Sequence, residues 1–139
     1  MDLMEVRRRM LMGRKSNELY PIGTDIVTKY IGRNAYGSFI GEQKVGINSQ
    51  GEFVSGNYYG SPVYLPINPS YRYEKNKYRI YEIAFYDEDC GFISLALSNK
   101  YNNLTQMEIT DIPSNAAYIR FVTHGTAYVN WRIAITRIA

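Results

Sequence analysis

Three consecutive carboxylates, one thiol and one glycine lie together in the stretch "IAFYDEDCGFISLAL", residues 83–97. Asp87, Glu88 and Asp89 could supply the oxygen ligands that calcium takes from loops, and Cys90 could act as a nucleophile with the single histidine, His124, as its base. The acids lack the D-x-D-x-D-G spacing of a dedicated calcium loop. Because consecutive residues point in different directions, paired-carboxylate hydrolysis is also disfavoured.

The motifs of common enzyme classes are missing from the sequence. It contains no G-x-S-x-G, H-E-x-x-H, Walker A or dinucleotide-binding pattern, and one Cys with one His is too few for a zinc site. We therefore predict a non-enzymatic protein with no catalytic residues, no metal ligands and no cofactor. The acidic stretch is interpreted as the tip of a β-hairpin, with Asp87, Glu88 and Asp89 exposed and dispensable and Gly91 supplying the positive φ.

The elements that hold this hairpin are predicted to be short strands. The chain has 139 residues, of which 14 are tyrosine, and aromatic residues suit pleated, half-buried surfaces. From about residue 28 the apolar residues alternate in short runs divided by Gly, Asn, Pro and Ser. This pattern predicts an antiparallel β-sandwich over residues 28–139, with strands near 44–48, 52–55, 62–67, 78–86, 92–97, 106–109, 117–123 and 127–138. Shorter pieces near 26–31 and 37–40 are further candidates.

Alternation also predicts which side chains point inward. In the last strand Trp131 falls on the face of Val129, Ile133 and other aliphatic residues, which favours the core over a sugar-stacking role. In 117–123, Ile119 and Phe121 point inward while Tyr118 and Arg120 point outward. The predicted core therefore contains Phe85, Ile93, Leu95, Ile119, Phe121, Val129, Trp131 and Ile133.

Residues 1–27 are predicted to be a separate helix and connector, of which residues 1–19 are called the leader segment below. In "DLMEVRRRMLMG", Asp2 can cap a short helix, Glu5 stands at capping-box spacing, and Gly13 ends it. Leu3, Val6, Met10 and Leu11 fall on one side of this helix beside Arg7. Because so short a helix is marginal alone, these five residues are the candidate assembly interface: Leu3, Val6, Arg7, Met10, Leu11.

A resemblance covers residues 45–139. The hairpin "IAFYDEDCGFIS" and the later "ITDIPSNAAYIRFVT" are similar to a pattern in jelly-roll, carbohydrate-binding-module-like domains of phage and prophage virion proteins. The matching positions are Phe85, Tyr86, Asp87, Phe92, Ile93, Ser94, Pro113, Asn115, Ala116, Tyr118, Ile119, Arg120 and Phe121. The stretch "SNKYNNLTQMEIT", residues 98–110, departs from this pattern as a long connection. The resemblance implies a jelly-roll sandwich with no catalytic residues.

Three functions compete. The first is a virion structural protein of a tail or capsid fibre. Its leader helix would anchor it to other virion proteins and to copies of itself, with a trimer as one arrangement. Its sandwich would face outward and contact a host glycan. The second is a free carbohydrate-binding module, for which Tyr58 and Tyr59 in a glycine-flanked loop are the candidate sugar contacts; packing in the loop or at a subunit interface is the alternative for these two rings. The third is an RNA-binding arm on "VRRRM" and "GRK".

Charge and hydropathy favour the first function. The first 20 residues carry five basic and three acidic side chains, a net +2 of the total +3, so the remainder is nearly neutral and unlike a nucleic-acid surface. The free module leaves the leader helix unexplained. With no secretory signal and no apolar run near 18 residues, we expect a chain made in the bacterial cytoplasm, without membrane insertion, and located in the virion.

Overall fold

The computed structural model describes residues 20–124 and 132–139. Within them one short helix, α1 (Ile26–Tyr30), precedes ten strands, all of whose pairings are antiparallel. The strands are β1 (Glu42–Ile47), β2 (Phe53–Ser55), β3 (Tyr58–Gly60), β4 (Leu65–Pro66), β5 (Tyr73–Lys75), β6 (Glu82–Tyr86), β7 (Phe92–Leu95), β8 (Met107–Glu108), β9 (Tyr118–His124) and β10 (Ile135–Arg137). The predicted all-β sandwich class is confirmed, whereas the jelly-roll connectivity remains a prediction.

The strands form two sheets. The larger has the order β2-β1-β3-β9-β6-β7, with β4 also paired to β9, and the smaller has the order β10-β5-β8. β9 is thus central, and it pairs with β6 along five positions, from Glu82 opposite Val122 to Tyr86 opposite Tyr118. The predicted hairpin of residues 83–97 is confirmed as β6 and β7. Sequence patterns missed β3 and β5 as strands.

Residues 20–31 contribute to the main core as a buried tyrosine followed by a helical turn. Tyr20, Ile26 and Val27 are buried there, although the sequence assigns them to the connector. The carboxylate of Asp25 accepts a hydrogen bond from the Val27 N–H at 3.0 Å, which caps α1. This cap explains why the segment is a helix and not the strand piece expected from its apolar residues.

The main core lies between the two sheets. Phe85, Ile119, Phe121 and Ile133 are buried, as predicted. The predictions for Ile93 and Leu95 were only partly right, because β7 is an edge strand of the larger sheet and both side chains are half-buried. Val129 and Trp131, which the alternation also assigns to the core, lie outside the described residues.

A second buried layer covers the other face of the larger sheet, so the expectation that Tyr118 and Arg120 point to solvent was wrong. Tyr118 is 1% exposed and Arg120 is 7% exposed. The Arg120 guanidinium carbon lies 4.1 Å from the ring centre of Phe53 and 4.5 Å from that of Tyr64. Its Nη2 donates to the Gly51 carbonyl at 2.9 Å. Because Gly51 lies between β1 and β2, this bond holds the β1–β2 hairpin against this face of the larger sheet.

Tyr86 also holds the β1–β2 hairpin against the larger sheet. Its hydroxyl accepts a hydrogen bond from Arg120 Nε at 3.1 Å and donates to the same Gly51 carbonyl. Burial raises the pKa of Tyr86, although Arg120 opposes the rise. Gly51 has φ of 72°, and a Cβ there would lie 2.1 Å from the Phe92 ring. Glycine is therefore required at this point of closest approach.

A buried lysine fixes the connection between β7 and β8. Lys75, on the central strand of the smaller sheet, is completely buried. Its Nζ lies 2.7–3.1 Å from four carbonyl oxygens, those of Asn76, Tyr78, Asn103 and Thr105. Two of these carbonyls belong to the stretch 98–110 that departs from the family pattern. The lysine therefore supplies hydrogen bonds to backbone that this connection would otherwise bury unpaired.

Candidate functional site

The acidic turn, residues 87–91, is built around one carboxylate. Asp87 Oδ1 accepts hydrogen bonds from the N–H groups of Asp89 (2.9 Å) and Gly91 (2.8 Å), and the Asp87 N–H donates to the Gly91 carbonyl at 2.8 Å. Asp87 is half-buried, while Glu88 and Asp89 are exposed. The prediction that all three acids are exposed and dispensable was therefore wrong for Asp87, which holds the turn in shape.

The backbone of the acidic turn corrects a second expectation. Cys90 has a positive φ of 61°, whereas Gly91 does not have a positive φ. The prediction that Gly91 supplies the positive φ was therefore wrong. Glycine still suits this position, since a Cβ there would lie 3.0 Å from the Asp87 carboxylate, closer than ordinary contact.

A polar cleft opens beside the acidic turn. It encloses about 510 Å³ and is lined by Asn68, Pro69, Asp87, Glu88, Asp89, Ser114, Asn115, Ala116 and Ala117. Three loops meet here because β4 and β6 both pair with the beginning of β9. The Ala117 N–H donates to the Tyr86 carbonyl at 2.7 Å, and the Ile67 N–H donates to the Ala117 carbonyl at 3.0 Å.

The loops of the polar cleft have defined turns. The Asn68 side-chain oxygen accepts from the Ser70 N–H at 3.0 Å and from the Ser70 hydroxyl at 2.7 Å. The Ala116 N–H donates to the Pro113 carbonyl at 3.1 Å. Asn115 and Ser114 are exposed at the rim. The cleft therefore presents carboxylate, amide and hydroxyl groups, a set suited to the hydroxyl groups of a sugar or to a cation.

The structure does not bring together Cys90 and His124, the single thiol and the single histidine of the sequence. Cys90 packs with Tyr86 and Tyr118 at the start of β9, whereas His124 ends β9 six residues further on. At about 3.3 Å per residue, the backbones at the two ends of this strand are about 20 Å apart. Within residues 20–124 and 132–139, no three His, Cys, Asp or Glu side chains are grouped as metal ligands.

The two tyrosines proposed for sugar stacking lie on a strand, not in the predicted loop. Tyr58 and Tyr59 belong to β3, which pairs with β1 and β9. Being adjacent in a strand, they point to opposite faces. Tyr59 packs against the main core, and Tyr58 stacks on Tyr81 with ring centres 4.2 Å apart. The hydrogen bond with Tyr81 raises the pKa of Tyr58 to about 12. The two rings therefore cannot form one shared platform.

The candidate assembly residues Leu3, Val6, Arg7, Met10 and Leu11 lie outside the described residues.

No helix in the described part of the chain is both long and apolar enough to cross a bilayer. Comparison of the chain with protein-family models, curated proteins and solved structures finds no match.

Proposed function

We propose that this chain is a non-enzymatic structural subunit of a phage virion, part of a tail or capsid fibre, which assembles through its leader segment and carries an outward β-sandwich. The resemblance of residues 45–139 to virion jelly-roll domains is the origin of this proposal. One observation carries it further: the residues of the resembling pattern meet at one end of the larger sheet. Phe85, Ile119 and Phe121 pack in the main core, and Asp87 and Asn115 line the polar cleft.

This arrangement supports a scaffold with a presented surface. The pattern residues either fill the interior or shape the loops at one sheet end, as expected where a fold is retained and its loops serve for contact. The separation of Cys90 from His124 supports a non-enzymatic role. In this proposal the partners are other virion proteins and further copies of this chain.

The test is particle association in a strain that carries the gene. Induced particles are purified by density gradient, and their proteins are identified by mass spectrometry. We expect the full chain to co-sediment with particles in a fixed ratio to the other structural proteins. Recovery solely from the soluble fraction would contradict the virion proposal and favour a free module.

Glycan binding at the polar cleft is a second candidate function, supported by its carboxylate, amide and hydroxyl lining. Glycan-array binding by the full chain should weaken at least tenfold in Asn115→Ala, since this exposed amide lies at the rim. Asn57→Ala, at an exposed position between β2 and β3, is the matched control. Equal binding by both variants would place any sugar contact elsewhere, with Tyr58→Ala as the next variant.

A further inference from the structure

A second, apolar cleft lies between the end of α1, the start of β1 and the loop before β4. It encloses about 510 Å³ and is lined chiefly by Tyr30, Ile31, Ile40, Glu42, Pro62 and Val63. Ile40 is 58% exposed and lies beside the other apolar side chains of the lining. Glu42 is the single charged residue of the lining and is itself exposed.

The described part of the chain begins near this apolar cleft. Tyr20, the first described residue, is buried with its ring centre 6.4 Å from that of Tyr30. Its hydroxyl donates to the Pro66 carbonyl at 3.0 Å, and its own carbonyl accepts from Arg137 Nη1 at 2.6 Å. Because Tyr20 is held at both its side chain and its backbone, residues 1–19 must start from a fixed point next to a cleft residue.

The chemistry of the leader segment complements the apolar cleft. Leu3, Val6, Met10 and Leu11 form the apolar side of the predicted helix, and this side needs an apolar surface to cover it. Residues 1–19 contain five basic and three acidic side chains, a net charge of +2. The arginines beside the apolar residues can pair with the carboxylate of Glu42 and set the orientation of the segment.

We propose that the apolar cleft receives the leader segment of a neighbouring copy of this chain. This inference rests on the proposed function, because it names the receptor for the self-assembly proposed above. Each copy carries one leader segment and one apolar cleft, so in a pair related by two-fold symmetry the exchange is reciprocal and the same contact is made twice. Such an exchange buries the exposed Ile40 side chain without any change in the sandwich.

Disulfide trapping in the full-length chain tests the exchange. Cys90 is the sole cysteine, so two Cys90→Ser chains with tags of different size are co-expressed, one carrying Met10→Cys and the other Ile40→Cys. After purification and mild oxidation, we expect a disulfide-linked heterodimer on a non-reducing gel. Leu104→Cys in place of Ile40→Cys is the matched control, since Leu104 is 60% exposed outside the cleft, and it should give far less product.

Other results would refute the exchange of leader segments, either alone or together with the proposed assembly function. If a chain carrying both Met10→Cys and Ile40→Cys forms only an internal disulfide, the segment covers its own domain and the exchange is wrong. In light scattering, Ile40→Glu should weaken self-association at least tenfold, whereas Leu104→Glu should not. Self-association that is unchanged in Ile40→Glu would refute the cleft as receptor while leaving the assembly function intact. A chain that is monomeric at every concentration would refute both.

Discussion

At the scale of single residues, Asp87 differs from its two acidic neighbours. Asp87→Ala removes the acceptor of two backbone N–H groups in the acidic turn. A buried hydrogen bond to a charged group contributes about 1.5–3 kcal/mol. Both bonds end on one half-buried carboxylate oxygen, and water can replace part of what is lost, so we expect the unfolding free energy to fall by about 2 kcal/mol for the pair. Denaturant unfolding measures this change, and Asp89→Ala, which removes an equal charge from an exposed position, should alter stability by less than about 0.5 kcal/mol. Equal effects in the two variants would show that Asp87 acts only through its charge.

Arg120 is the residue that sequence reasoning most misjudged, and its replacement by methionine should be among the most costly changes. Arg120→Met removes one of the two donors to the Gly51 carbonyl and the donor to the Tyr86 hydroxyl. We expect a loss of about 3 kcal/mol, because a buried charged hydrogen-bonding group is removed while its partners remain. Exposed Arg79→Met is the control and should cost less than about 0.5 kcal/mol.

A double-mutant cycle, measured as unfolding free energies, shows whether Arg120 and Tyr86 act together in holding the β1–β2 hairpin. Tyr86→Phe removes the hydroxyl that Arg120 Nε contacts and that donates to the Gly51 carbonyl. Because the two side chains share one acceptor and one mutual bond, the double variant should lose less stability than the two single variants added together. Strict additivity would mean that the β1–β2 hairpin is held by aromatic packing on Phe53 and Tyr64 alone.

At the scale of elements, alternation located most of the strands, but not β3 and β5 and not what covers the sheets. The patterns placed Ile119 and Phe121 correctly in the core because period two separates the two faces of β9. They could not reveal that the second face is also covered, since this depends on the β1–β2 hairpin folding back over Arg120. The polar cleft was likewise only partly predictable: the acidic turn was recognised, but its meeting with residues 68–69 and 114–117 follows from strand order.

The connection between β7 and β8 should make stability depend on pH through Lys75. Burial lowers the pKa of Lys75 from 10.5 to about 8 in the folded chain, so folding releases a proton between these two values. The cost of burying the ammonium is present below pH 8 and disappears as pH rises toward 10.5, so stability should increase across this window. Unfolding free energies measured between about pH 8 and 9, where tyrosines with a pKa near 10 remain largely protonated, should show this rise in the native chain.

Lys75→Met is the matched variant for this pH dependence. It should abolish the rise above pH 8, because the titrating group is gone. It should also leave the Asn103 and Thr105 carbonyls without their donor, so amide hydrogen exchange in residues 98–106 should become faster. Surface Lys77→Met, two positions along and exposed, should preserve both the slope and the protection. A slope retained in Lys75→Met would assign the pH effect to another group.

At the scale of the whole molecule, Tyr20 belongs to the core of the described part of the chain. The Tyr20 side chain is 3% exposed in a cluster of aromatic rings that includes Tyr71 and Tyr73. A deletion meant to isolate the sandwich must therefore stop at residue 19. In the proposed function the two parts have different roles: the described residues supply the core, and the leader segment supplies the apolar positions proposed for assembly.

Deletion of residues 1–19 tests this division of roles. We expect the melting temperature to change by less than about 4 °C, the shift that roughly 1 kcal/mol produces in a domain of this size, because every buried contact of Tyr20 is retained. Self-association, measured by sedimentation velocity, should be lost. A full-length chain with Val6→Asp and Met10→Asp is the control for length, and it should also fail to associate, since charge on the apolar side of the leader helix opposes burial. If the truncated chain unfolds, the leader segment belongs to the core of its own domain. If it associates normally, the contact between copies lies on the sandwich, and the free carbohydrate-binding module becomes the stronger account of this protein.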